Sequence, residues 1–140
     1  SYSEKDERFA KQLYDDLEKN GIDCWMAAED LKLGAPIRET IEEQIRLRDK
    51  LIVVLSKNSI QSVWVGDEVE AAIEEEKVKD KIILIPIRLD DSILDVRDDW
   101  AAKIKRRRNI GDFSGWENRS RYEKMFTRLL RDINSLNIKY

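Results

Sequence analysis

Two unbroken apolar runs constrain this chain more than any other feature. "KLIVVLS" (50–56) and "KIILIPI" (81–87) show no polar alternation. Runs of that length and continuity fit strands that are covered on both faces. Between them lies a helical pattern over 63–79, with Val65, Val69, Ala72 and Ile73 on one stripe. Strand, helix, strand in that order means a parallel pair with a helix packed against it.

The flanking sequence repeats the alternation. Phe9, Ala10, Leu13, Tyr14 and Leu17 recur at helical spacing, and Asn20-Gly21 ends that helix. "IDCW" (22–25) is a short strand candidate. Residues 27–36 carry no apolar period and contain Gly34 and Pro36, so they read as a loop, with Pro36 opening a helix through Ile37, Ile41 and Ile45. Pro86 belongs at a strand end or a bulge. A short helix around Trp100 and a short strand in "RNIGDF" (108–113) come next. Ser120 can cap a last helix whose inner face is Tyr122, Met125, Phe126, Leu129, Leu130 and Ile133. The expected fold is α/β, a three-layer sandwich around a central parallel sheet of about five strands. The chain opens on "SYSEKDERF", already at the lip of its first helix, so the first strand is expected to be truncated or missing in this fragment. One domain is expected to fill residues 1–140.

Composition narrows the chemistry. The chain has no histidine, which removes histidine triads, bases and metal ligands together. Its one cysteine, Cys24, gives neither a disulfide nor a zinc cluster. Lys and Arg number 26 against 29 Asp and Glu, a net charge of −3 that argues against nucleic acid as a partner. No metal site is expected. Nothing is long and apolar enough for a membrane span, and a reducing, cytoplasmic setting is the expectation. The basic run "KIKRRR" (103–108) reads as a solvated face.

In an open parallel sheet, ligands bind beyond the carboxyl ends of the strands. That rule brings Ser3, Trp25, Ser56, Trp64 and Glu68 to one rim. Glu68 lies four residues after Trp64, on the shoulder of the apolar stripe. Taken alone, such a carboxylate is either a partner of the helix dipole or a working group. Ser56 could cap the loop it opens, and Ser3 could cap the first helix with Asp6 completing a capping box.

The stretches "SYSEKD", "GIDCWMAAEDLKLG", "VVLSKNSIQSVWVGDE" and "DFSGW" resemble the successive boxes of a TIR (Toll/interleukin-1 receptor) domain. The resemblance covers nearly the whole chain, and the Ser56–Trp64–Glu68 spacing is its most specific part. It implies a flavodoxin-like fold and two functional branches. In one, the domain is an NAD+ glycohydrolase whose catalytic glutamate occupies the W-x-x-x-E position, here Glu68. Ser3, Trp25, Ser56 and Trp64 would then contact substrate. In the other, it is a non-catalytic adaptor. The resemblance further implies homotypic self-association through the loop carrying Asp30, Leu33, Gly34 and Pro36, and a sensor or oligomerising domain elsewhere in a larger protein. NAD+ enters as substrate, with no cofactor.

Elementary chemistry suits the enzyme branch. Most glycoside cleavage needs a second carboxyl group to protonate the leaving group. The pyridinium of NAD+ leaves as neutral nicotinamide, so one carboxylate facing the oxocarbenium charge suffices. A phosphoacceptor receiver domain would share the fold but needs an aspartate where Ser56 stands. A nucleoside deoxyribosyltransferase would use a glutamate on a different substrate.

Overall fold

The computed structural model describes residues 1–97 and 99–135. A 3-10 turn, Glu4–Asp6, leads into α1 (Glu7–Lys19), followed by a short α2 (Ala27–Asp30) and α3 (Ile37–Leu47). Strand β1 (Leu51–Leu55), helix α4 (Val63–Lys79) and strand β2 (Leu84–Arg88) form the central unit. A second 3-10 turn, Ser92–Asp95, precedes α5 (Trp100–Arg107), β3 (Gly111–Asp112) and α6 (Arg119–Ser135).

The two apolar runs pair as expected. β1 and β2 are parallel, with Leu51 opposite Leu84 and Leu55 opposite Arg88, and β3 extends the sheet in the order β1-β2-β3. Side chains alternate across β1. Val53 and Leu55 enter a core with Ile45, Val65, Val69, Ala72 and Ile104, from α3, α4 and α5. Val54 enters the other core, with Phe9, Leu13 and Leu17 from α1 and Tyr122, Phe126 and Leu129 from α6. The sheet is therefore covered on both faces, which gives the three-layer α/β arrangement.

Three strands, not five, form the sheet among the described residues. The segment 22–25 joins no ladder. Its backbone is taken by side chains instead: Cys24 N–H donates to the Glu18 carboxylate (2.8 Å) and Asp23 C=O accepts from Arg48 (3.2 Å). Ser1 makes a single parallel-type pairing beside β1, its N donating to Ile52 O and its O accepting from Val54 N, both at 2.8 Å. The strand expected over 108–113 shrinks to two residues. The loop expected over 27–36 contains the one-turn helix α2. The last helix is capped by Asn118, whose Oδ1 accepts from Arg121 N, rather than by Ser120.

Pro86 lies inside β2, not at its end, and opposite Val53. Alternate residues of a parallel strand bond to opposite neighbours. Leu89 N–H donates to β1, whereas Arg88 C=O accepts from Phe113 N–H. By this alternation the Pro86 nitrogen faces the β3 side, where pairing begins only at Ile87. No ladder bond is lost.

Glu76 fixes the amino end of β2. Its carboxylate accepts from Ile83 N–H (2.8 Å), Leu84 N–H (3.0 Å) and both terminal nitrogens of Arg108. Burial alone would raise its pKa, but the Arg108 guanidinium and the two amides outweigh that and hold it below the ordinary 4.5. The sign follows: the stabilisation is full above the unfolded-state pKa and is lost as pH falls through the lower folded one. Glu76→Gln should cost about 2 kcal/mol at neutral pH. The variant should also lose less stability than the wild type between pH 5 and pH 3, read from urea unfolding at each pH. Parallel pH profiles for the two proteins would refute this role for Glu76.

Candidate active site at the carboxyl edge of the sheet

The loop after β1 is tied by hydroxyl groups. Ser59 Oγ accepts from Ser56 N–H (2.9 Å) and donates to Val54 C=O (2.6 Å). Ser56 Oγ accepts from Asn58 N–H and Ser59 N–H and donates to Asp6 Oδ2 at 2.5 Å. Asn58 Nδ2 donates to Asp6 Oδ1 at 3.0 Å. Asp90, beyond β2, accepts from Lys57 N–H (2.9 Å) and Ser92 N–H (3.0 Å). Partial burial opposes ionisation of Asp90, yet these amide donors hold its pKa below the usual value. The 56–62 loop is thus held from two sides, and it delivers Ser62, whose hydroxyl caps α4 at Val65 N–H.

Helix α4 then presents Trp64, Asp67 and Glu68 to α3. The facing residues of α3 are Arg38, Ile41 and Glu42, and the six together line a small cleft. Both sets have the spacing i, i+3, i+4, so each forms a continuous patch on its helix. Glu68 is half-buried and accepts a hydrogen bond from the Ser1 hydroxyl. Trp64 is 48% exposed, with the Arg38 guanidinium 4.8 Å from its ring centroid. Arg38 also pairs with Asp67 at 3.2 Å. One face of Trp64 is therefore covered by a cation anchored to the next turn of the same helix.

Trp64 and Glu68 share this cleft; the other expected contacts lie around it. Trp25 is half-buried in the segment before α2 and does not line the cleft. Ser56 is 2% exposed, and its hydroxyl is occupied by the loop knot. Ser3 accepts from Lys5 N–H (3.4 Å) and caps the first 3-10 turn. Asp6 does not complete a capping box, because its carboxylate reaches Ser56 and Asn58 instead. In the proposed association loop, Asp30 is bonded inward, to Met26 N–H (2.8 Å) and Tyr14 OH (3.3 Å). Leu33 is fully exposed, Gly34 adopts φ +84° and Pro36 precedes α3. Cys24 is a half-buried thiol whose pKa is pushed up to about 11, chiefly by burial. It is not a nucleophile in this state.

The site expected from the sequence does not include Arg38, Glu42 or Asp67. Their matched helical spacing was visible in the sequence, but not which two helices face each other.

Residues 1–130 match the family description "TIR domain". The chain belongs to the TIR domain family. It is 28% identical over 88 residues to the NAD(+) hydrolase TcpC of Escherichia coli O6:H1, covering 62% of this chain and 29% of that protein. It is 30% identical over 82 residues to the 2' cyclic ADP-D-ribose synthase AbTIR of Acinetobacter baumannii, covering 59% and 30%. A Stimulator of interferon genes protein of Magallana gigas matches at 25% over 87 residues, covering 62% and 21%. The chain thus spans less than a third of each of these relatives. In three dimensions it is similar to the TIR domains of the activated Roq1 resistosome, which directly recognises the pathogen effector XopQ. That match has a TM-score of 0.60 and 23% identity, and covers 94% of this chain and 81% of the other. Among the described residues no helix is long and apolar enough to cross a membrane.

The knot at Asp6 makes a direct prediction for this TIR domain. Asp6→Ala leaves the Ser56 hydroxyl and the Asn58 amide without their acceptor, at a cost of about 1–3 kcal/mol. Amide exchange at Ser59 and Ile60 should accelerate more than exchange in α6. Uniform acceleration across the chain would show that Asp6 acts only on global stability.

Proposed function

We propose that this TIR domain cleaves the nicotinamide–ribose bond of NAD+, with Glu68 as the catalytic carboxylate. The observation that carries the reading is the placement of Glu68 beside Trp64 in a cleft between α3 and α4. The names of the bacterial relatives TcpC and AbTIR support it. Departure of neutral nicotinamide takes the bonding electron pair and leaves positive charge on the ribose. The Glu68 carboxylate stabilises that charge. Water then adds at the anomeric carbon and loses a proton, giving ADP-ribose. Attack by a nucleophilic atom of the same ADP-ribose unit, with loss of its proton, gives a cyclic isomer. Trp64 offers a flat face for the departing ring, worth about 1 kcal/mol beyond area burial. Trp25 and Ser3 are the further proposed substrate contacts, and Ser56, buried with its hydroxyl tied to Asp6, supports the loop instead.

The cleft is small and one face of Trp64 is covered, so this reading includes activation by self-association. The exposed loop with Leu33 and Gly34, anchored by Asp30 and closed by Pro36, is the proposed contact. A neighbouring TIR domain seated there would displace Arg38 from Trp64 and widen the cleft. A sensor or oligomerising domain elsewhere in a longer protein would supply the trigger, in an intracellular immune or antiphage role. The same exposed loop also favours a second reading, a non-catalytic assembly module acting by homotypic contacts alone.

Glu68 separates the two. Glu68→Gln keeps shape and removes charge, and nicotinamide release should drop by about a hundredfold or more. Wild-type release by the variant would remove Glu68 from the chemistry, whereas no release by the wild type at any concentration would leave the assembly reading standing. If activation works through contact between copies, nicotinamide release per mole of protein should climb with protein concentration. Leu33→Ala should blunt that climb while the unfolding midpoint stays put. Constant specific activity down to dilute monomer would remove self-association from the mechanism.

A further inference from the structure

Across the sheet from Glu68, at the β3 edge, lies an open groove of about 580 Å³. Its lining includes Asp112, Ser114, Arg121, Lys124, Arg128 and Arg131. The residues that matter are the four cations, which follow one another on α6 at spacings of three, four and three. That spacing keeps them on one face of the helix. Four cations beside a single carboxylate stand out on a chain whose net charge is −3.

The carboxylates near the groove are already engaged. Asp112 accepts from Ser114 N–H (2.9 Å) and Ser114 Oγ (2.5 Å) and pairs with Arg88 at 3.1 Å. Asp132 serves both Arg131 (3.0 Å) and, at 3.9 Å, Arg128. Arg121 and Lys124 have no carboxylate within ion-pair distance among the described residues. Arg121 lies against the turn at Gly115, where a Cβ would come within 2.6 Å of its Nη1. Glycine there leaves the guanidinium room beside the turn.

We propose that this groove is a second ligand site, which binds the oligophosphate chain of a small soluble anion such as a nucleoside triphosphate. Guanidinium groups match phosphate oxygens in a bidentate geometry, and lysine adds a mobile point charge. The volume falls in the range of small-molecule sites, about 300–1,000 Å³. That is more than a single phosphate needs. No aromatic side chain among the described residues lines the groove, and the proposal is therefore confined to the phosphates. The site is separate from the Glu68 cleft and does not depend on NAD+ cleavage.

The test is isothermal titration of the folded chain with inorganic tripolyphosphate at low salt. Saturable one-site binding is expected, weakened about tenfold or more in Arg121→Gln/Lys124→Gln and weakened further as salt rises. The control is Lys103→Gln/Arg106→Gln/Arg107→Gln, which removes three exposed charges from α5 and should leave binding intact. Circular dichroism establishes that both variants fold. Three results overturn the proposal: no saturable binding, equal weakening by both variants, or binding to phosphatidylglycerol vesicles without binding to tripolyphosphate.

Discussion

The architecture depends on two-sided burial of the β1–β2 pair. A parallel pair cannot be closed by a tight hairpin, so a crossover helix must return the chain, and here that helix is α4. Helices α3, α4 and α5 cover one face and α1 and α6 the other. Once both faces are dry, every backbone group at the strand ends needs a partner in the protein. Glu76 and Arg108 satisfy this at the amino end of β2. Serines and aspartates do so at the carboxyl end of β1.

The two ends are closed by different chemistry, and the difference matters for function. A partly buried carboxylate–guanidinium pair closes the amino end of β2. The Ser56–Ser59–Asp6–Asn58 knot instead fixes a loop from which α4 starts at a set angle. Trp64 and Glu68 follow within the first two turns of that helix. The position of the proposed catalytic carboxylate is thus set by hydroxyl–carboxylate contacts beneath it, contributed by segments some fifty residues apart in the chain.

Elements buried on both sides were legible in the sequence, because continuous apolar runs have few alternative fates. The β1 run, the α4 stripe and the inner face of α6 appear where the pattern placed them, whereas the second run becomes a strand only from Leu84 and leaves Ile82 exposed. Segments whose backbone is satisfied by side chains were not legible. Residues 22–25 look like a strand by composition, and only the Glu18 and Arg48 contacts show why they stay outside the sheet. Glu68 and Trp64 could be paired from their spacing. The role of Arg38 could not, since it depends on α3 packing against α4. Ser56 illustrates a further limit: a serine at a strand end serves equally well as a ligand contact or a loop tie, and its neighbours decide.

The Arg38 contact on Trp64 has a thermodynamic consequence. An exposed cation–π contact is worth about 0.5–1 kcal/mol, and an exposed ion pair such as Arg38–Asp67 adds about 0.2–1 kcal/mol. Together they favour the covered tryptophan by roughly one order of magnitude in population, since 1.4 kcal/mol is tenfold. A bias of that size behaves like a weak detent. It holds one face of the indole under Arg38 most of the time, and a contact of similar size from outside is enough to offset it.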